Sequence, residues 1–155
     1  MAFDRTYKDS RILVTGGAGF IGSNLIHHVI DQPGIAKLVN LDCLTYAGHL
    51  ANLELVARHP KYAFEKVDLR DKAATLRAVE QHQITHVMHL AAESHVDRSI
   101  HGPKAFIETN IMGTFGLLEA VRAYWGALAA ERRTVFRFLQ VSTDEVYGSL
   151  GKDEP

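Results

Sequence analysis

The sequence predicts a single α/β domain, a Rossmann-type parallel sheet with helices on both faces. Three observations support this fold class. Strand-like and helix-like runs alternate along the chain, a glycine-rich turn follows the first strand, and 155 residues with 46% apolar content suit one compact domain. Because right-handed crossovers join parallel strands, each intervening helix must pack on a face of the sheet.

The first half of the chain contains three strand candidates. Residues 11–15 form a short apolar run, and residues 20–30 carry apolar side chains at helical spacing. A second strand is predicted at 36–41 and a third at 63–67, with a short helical stretch near 52–58 between them.

The second half repeats the alternation. A helix is predicted at 73–81, a fourth strand at 85–90 and a loop at 93–99. Pro103 can begin a long helix that runs to about residue 128, and a fifth strand follows at 137–142. We assign residues 1–155 to one Rossmann domain that lacks the last strands of the fold and a substrate-binding region.

Composition argues against several classes of protein. The 17 Lys and Arg residues against 18 Asp and Glu residues give a net charge of −1, so nucleic acid is not an expected partner. No apolar run is long enough to span a bilayer and the first residues do not form a secretory signal, so we expect a cytoplasmic protein without membrane contact. The single cysteine, Cys43, excludes an internal disulfide and is expected to be small and buried.

The glycine-rich turn indicates a dinucleotide site. Gly16, Gly19 and Gly22 follow a strand and open a helix, so backbone amides and the helix dipole can face a pyrophosphate. An acidic residue, Asp42, ends the second strand 20 residues after Gly22, as this motif requires. The alternative is a glycine-rich turn that binds nothing.

Asp42 favours NAD over NADP. Its carboxylate can accept hydrogen bonds from ribose hydroxyls and would repel a 2′-phosphate. The next residues, Cys43, Leu44 and Thr45, include no arginine to bind such a phosphate.

Two further strand ends belong to the predicted cofactor site. Asp68 and Leu69 end the third strand where an adenine edge would lie. Residues 90–92, which are Leu90, Ala91 and Ala92, end the fourth strand with side chains that allow close approach of a cofactor. An ordinary structural role remains open for both.

An acidic pair follows the fifth strand. Thr143, Asp144 and Glu145 stand at its carboxyl end, which borders the ligand crevice in open parallel sheets. In a dry site, repulsion and desolvation would keep one carboxyl protonated beside an ionised one, providing an acid and a base. An acidic turn in solvent remains the alternative on these residues alone.

The nine histidines do not predict a metal site. His86 and His89 are three apart on a strand and so point to opposite faces. His95 follows the fourth strand and is placed to line a substrate pocket, or else lies on the surface.

With these residues in view, the chain resembles the extended branch of the short-chain dehydrogenase/reductases, and within it the dTDP-glucose 4,6-dehydratase family. The motifs that carry the resemblance are residues 15–24, 42–48, 90–99 and 142–148. Sugar-nucleotide 4-epimerases share the glycine turn but lack the Asp-Glu pair.

The resemblance implies a mechanism. Bound NAD takes hydride from C4 of dTDP-glucose, water is lost across C5–C6, and the hydride returns at C6. By this resemblance Glu145 is the base at C5, Asp144 the acid at the C6 hydroxyl, and Thr143 a hydrogen-bond partner of the sugar. The resemblance also places Ser94 at the cofactor and sugar boundary, and Phe20, Ile21 and Thr109 in the cofactor site with Asp68 and Leu69.

One element of the family pattern is absent. The Tyr-x-x-x-Lys motif that oxidises the sugar does not occur after the acidic pair, since Gly151 stands four residues after Tyr147. We therefore expect these 155 residues alone to be inactive. The resemblance also implies that the full-length protein is a homodimer. A dehydratase of another sugar nucleotide and a non-catalytic NAD-binding module remain alternatives.

Overall fold

The computed structural model describes residues 8–143, 146 and 148, and of 96–98 the backbone alone. Its centre is a five-stranded sheet in which all neighbouring strands are parallel. The strand order is β3-β2-β1-β4-β5. The strands are β1 Ser10–Thr15, β2 Ile35–Asp42, β3 Tyr62–Lys66, β4 His86–His89 and β5 Arg137–Gln140.

Helices cover both faces of this sheet, which confirms the predicted fold class. The described helices are α1 Phe20–Val29, α2 Lys72–Gln81, α3 Val96–His101, α4 Pro103–Phe106, α5 Thr114–Ala127 and α6 Ala130–Val135. A 3₁₀ helix at Leu50–Leu53 and a π-helix at Ile107–Gly113 complete them.

The core has two halves, one on each face, because alternate residues of a strand point to opposite sides. Leu13 of β1 packs in a cluster with Val79 of α2 and Leu117 of α5. Its neighbours Ile12 and Val14 pack in the other cluster, which contains Ile26 of α1. The near-continuous burial of β1 is what a central parallel strand requires.

Two sequence predictions about connecting segments need correction. The helical stretch expected near 52–58 is a 3₁₀ helix at Leu50–Leu53 followed by turns. The backbone N–H of His49 and the side chain of Asn52 both donate to the carbonyl of Ala18, which holds this segment against the glycine turn. The predicted loop at 93–99 becomes helical from Val96 onward.

The long helix predicted at 103–128 is interrupted, and one helix was missed. α4 and α5 are joined through the π-helix, in which each backbone hydrogen bond spans five residues instead of the four of an α-helix. The missed helix, α6, has six residues and four charged or polar side chains, too few apolar positions to show helical periodicity. The fifth strand ends at Gln140, two residues earlier than predicted.

The prediction that Cys43 is buried is wrong. Its side chain is exposed, whereas that of Asp42 is buried. β2 ends with the carboxylate turned inward, so the next residue points outward.

Candidate functional site

The carboxyl ends of the first four strands surround a cleft of about 340 Å³. All but one of the predicted cofactor-binding residues line it. These are Gly16, Gly19, Phe20, Ile21, Gly22, Asp42, Cys43, Thr45, Asp68, Leu69, Leu90, Ala91, Ala92, Ser94 and Thr109. Leu44 is the exception, and its backbone N–H points back to Asp42.

The glycine turn has the geometry that only glycine tolerates. Gly16 has φ +69°, and a side chain there would place its Cβ 2.7 Å from Cα of Ala91. A Cβ on Gly22 would overlap the carbonyl oxygen of Gly16. The turn therefore packs tightly against the end of β4, and α1 begins directly after it.

The amino-terminal end of α1 opens toward the cleft. No side chain caps this end of the helix, and its first turn carries no acidic residue. The first backbone N–H groups of a helix lack partners within the helix, so they and the helix dipole favour a bound anion.

Asp42 ties the turn to the end of β2. The side chain is 8% exposed; Oδ2 accepts a hydrogen bond from the Ala18 N–H at 3.0 Å and Oδ1 one from the Leu44 N–H at 2.8 Å. Each carboxylate oxygen has a second lone pair, so the group can still accept from a ligand hydroxyl.

Arg70 lies beside Asp68 in the cleft wall, and the sequence reasoning missed it. Its Nη2 is 2.6 Å from Asp68 Oδ2 and its Nη1 is 3.2 Å from Glu108 Oε2. The hydrogen bond from Arg70 lowers the pKa of the Asp68 carboxyl. Since two carboxylates already hold the guanidinium, its charge is largely neutralised within the cleft.

A buried chain of hydrogen bonds runs beneath the cleft and was also missed. His89 Nδ1 is 2.6 Å from Thr15 Oγ1, and His89 Nε2 is 3.0 Å from Thr114 Oγ1. The N–H of Ala91 donates to the same Thr15 oxygen at 3.3 Å. Burial lowers the pKa of His89 to about 4, so the ring is neutral at pH 7 with one donor and one acceptor nitrogen.

The histidines of β4 have different surroundings, as their spacing predicts. His86 Nδ1 lies 2.8 Å from Thr85 Oγ1, whereas His89 contacts Thr15 and Thr114. Within the described part of the chain, no three metal-ligating side chains are grouped to hold an ion. His95 is exposed.

The predicted catalytic tip is described only in part. Thr143 follows β5, is exposed, and is not among the residues that line the cleft. Asp144 and Glu145 lie outside the described residues. Their catalytic assignment therefore stays a prediction.

Polarity within apolar segments is the signal that could have found the missed residues. His89 shows this signal, because it is a polar residue at the end of a buried strand. A polar side chain in such a position needs a hydrogen-bond partner.

Comparison with known proteins gives a consistent family. Residues 13–155 match the family described as GDP-mannose 4,6 dehydratase. The dTDP-glucose 4,6-dehydratase of Shigella flexneri is 59% identical over 140 residues, which are 90% of this chain and 38% of that protein. The chain thus spans less than half the length of the curated relatives it matches.

Solved structures share the fold. A dTDP-glucose 4,6-dehydratase from Streptomyces venezuelae, solved with NAD bound, aligns with a TM-score of 0.78 and 42% identity over 92% of this chain and 42% of that one. A UDP-glucose 4-epimerase from Thermotoga maritima aligns with a TM-score of 0.73 and 31% identity, over 92% of this chain and 41% of that one. The fold is therefore common to dehydratases and epimerases.

No described helix is both long and apolar enough to cross a membrane.

Proposed function

Because this chain belongs to the family described as GDP-mannose 4,6 dehydratase, we propose that it binds NAD and serves in the removal of water from a sugar nucleotide, dTDP-glucose. The observation that carries the proposal is the cleft, which gathers the glycine turn, Asp42 and the ends of β3 and β4. The names of relatives at 55–59% identity support dTDP-glucose as the substrate.

The cleft fits a dinucleotide. The uncapped end of α1 offers N–H groups for a pyrophosphate, and the absence of side chains at Gly16 and Gly22 permits close approach. The buried Asp42 carboxylate suits ribose hydroxyls, and the only arginine among the cleft-lining residues described, Arg70, is engaged by Asp68 and Glu108. These features favour NAD over NADP.

The chemistry would divide between the cofactor and the tip after β5. When bound, NAD would supply reversible acceptance of hydride. We assign Glu145 to remove the C5 proton, Asp144 to protonate the departing C6 hydroxyl and Thr143 to hydrogen-bond the sugar. Ser94, which lines the cleft, is assigned to contact both ligands.

We assign residues 1–155 to an NAD-binding Rossmann domain. The Tyr-x-x-x-Lys pair that oxidises the sugar and the substrate-binding region are assigned to other parts of the enzyme. We also propose that the enzyme is a homodimer in the cytoplasm. Apolar side chains of the π-helix and α5, namely Ile107, Ile111, Phe115 and Leu118, are 45–60% exposed in the single chain. Their helical spacing forms one stripe suited to packing against a second copy.

The decisive test uses the gene product that contains this chain and dTDP-glucose labelled with deuterium at C4. The proposal predicts a product that has lost one water and carries the deuterium at C6, as read by mass spectrometry and NMR. UDP-glucose and GDP-mannose serve as competing substrates that test the nucleotide assignment.

Replacing Glu145→Gln separates the catalytic role from binding. NAD binding should be kept while loss of water is reduced by about a hundredfold or more. Tight NAD binding with no turnover of any of the three sugar nucleotides would instead indicate a binding module, and unchanged dehydration would remove Glu145 from its role.

A further inference from the structure

Asn110 makes a two-point contact with the backbone of Glu93. The Glu93 N–H donates to Asn110 Oδ1 at 2.8 Å, and Asn110 Nδ2 donates to the Glu93 carbonyl at 2.9 Å. The side-chain amide thus pairs with the main chain as a neighbouring strand would. Asn110 accepts in one bond and donates in the other, so the contact requires an acceptor and a donor on the same side chain.

The contact falls in a segment that has no regular secondary structure. Residues 90–95 lie between β4 and α3, and Ala92, Glu93 and Ser94 all line the cleft. Thr15 fixes the start of this segment through the N–H groups of Leu90 and Ala91. Asn110 fixes its middle, immediately before Ser94.

Three consecutive residues of the π-helix line the cleft or contact residues that line it. Glu108 pairs with Arg70, Thr109 lines the cleft, and Asn110 reaches Glu93. Short π-helical segments within α-helices are frequent at functional sites. Here the segment connects the β3 side of the cleft with the β4 side.

We infer that Asn110 is a positioning residue that holds the Ala92–Ser94 segment in the shape in which it lines the cleft, and so sets the affinity for the dinucleotide. The inference rests on the proposed function. Asn110 is not among the residues that line the cleft and acts through Glu93. Without the two bonds, the segment must be ordered when the ligand binds, and that cost weakens binding.

The variant Asn110→Asp tests this mechanism through pH. A protonated carboxyl has one acceptor and one donor and can copy both bonds, whereas a carboxylate can only accept and faces the Glu93 carbonyl. At about pH 8, NAD binding by Asn110→Asp should be weaker than wild type by roughly tenfold, the effect of one to two hydrogen bonds. At about pH 5 most of this loss should be recovered, since the unpaired carbonyl favours the protonated form.

Two further variants separate positioning from charge and from folding. Ala105→Asp adds a carboxyl at an exposed site five residues earlier and should change NAD binding less than threefold at both pH values. Asn110→Leu removes both bonds and should bind weakly at both. An equal pH response of Ala105→Asp and Asn110→Asp would overturn the inference, because it would assign the effect to charge alone.

Hydrogen exchange keeps this test independent of the proposed function. Without NAD, amides of 92–95 should exchange at least tenfold faster in Asn110→Leu than in wild type, while those of β1 are unchanged. If wild type binds no NAD, the proposed function is wrong. The positioning role of Asn110 is then tested by hydrogen exchange alone. Unchanged exchange in 92–95 would overturn that role.

Discussion

At the scale of single residues, the cleft is held together by polar groups that also face it. Asp42 is the clearest case, because its two oxygens accept backbone N–H groups from the glycine turn and from the loop after β2. A residue expected to bind ribose therefore also joins two segments of the chain. His89 does the same beneath the cleft, between β1 and α5.

Replacing Asp42 should not change the cofactor preference of the site from NAD to NADP. Asp42→Asn turns one hydrogen-bond acceptor into a donor facing an N–H group, so we expect a loss of about 1–3 kcal/mol in the free energy of unfolding. Binding of NAD and of NADP should both weaken, as measured by calorimetry. Asp31→Asn, at an exposed site, is the matched control. A variant that binds NADP more tightly than wild type would show that repulsion alone is the role of Asp42.

His89 should make the fold sensitive to acid. Its folded-state pKa of about 4 lies below the unfolded value near 6.5, so the unfolded chain takes up the proton first. Stability is complete above about pH 6.5 and falls as the pH is lowered toward 4. Wild type should lose roughly 2 kcal/mol from this residue between about pH 8 and pH 5.

Urea unfolding at both pH values measures this effect. His89→Asn should be less stable at pH 8 but should lose less stability on acidification than wild type. His28→Gln, at an exposed position, should keep the wild-type pH dependence. An identical pH dependence in His89→Asn would contradict the assignment.

At the scale of elements, the packing of α5 against the loop after β3 sets the width of the cleft. Gly116 lies against the carbonyl of Leu69, and a Cβ added there would overlap the carbonyl oxygen. A Cβ added at Gly113 would make only an ordinary contact with Leu69. The absence of a side chain at Gly116 therefore allows the helix backbone to approach the segment that carries Asp68 and Arg70. Close helix packing and cleft geometry are therefore one feature.

Gly116→Ala should separate these elements. The added methyl group would overlap the Leu69 carbonyl oxygen, and we expect a loss of about 1–3 kcal/mol in unfolding free energy together with weaker NAD binding. Gly126→Ala is a control in the same helix, since nothing lies within 4 Å of its added Cβ. Gly126→Ala should stabilise the chain by about 0.5–1 kcal/mol, as measured by thermal unfolding. Similar effects of Gly116→Ala and Gly126→Ala would contradict the close packing of Gly116 against Leu69.

At the scale of the whole molecule, the central strand β1 is largely buried, whereas an apolar stripe on one helix surface is exposed. The stripe of Ile107, Ile111, Phe115 and Leu118 lies on the π-helix and α5 and stays exposed in the single chain. Its burial by a second copy would also fix the π-helix from outside. Dimer formation and the positioning role of Asn110 would then depend on the same element.

Phe115→Asp should weaken self-association of the gene product. Sedimentation should show a monomer, or a dimer constant weakened by at least a hundredfold, because a buried unpaired charge costs several kcal/mol. Ala73→Asp, exposed on α2, should leave the mass unchanged. A dimer of unaltered strength in Phe115→Asp would place the interface elsewhere.

The sequence predicted much of the fold and much of the cleft. Alternation of strands and helices follows from local periodicity, and a parallel sheet concentrates strand ends at one edge, so Gly16, Asp42, Asp68 and Ala91 could be placed together before any coordinates. Less regular features were missed: the π-helix, α6, and the exposure of Cys43 depend on what surrounds each segment.

What the sequence determined by itself is therefore the succession of the five strands, most of the residues that line the cleft and the candidate chemistry, since these depend on short-range patterns. Only the tertiary structure decided that Thr15, His89 and Thr114 form one buried network and that Asn110 holds Glu93. These partners are 17 to 74 residues apart in the chain. Hydrogen bonds over such separations depend on how the layers pack, which no local periodicity records.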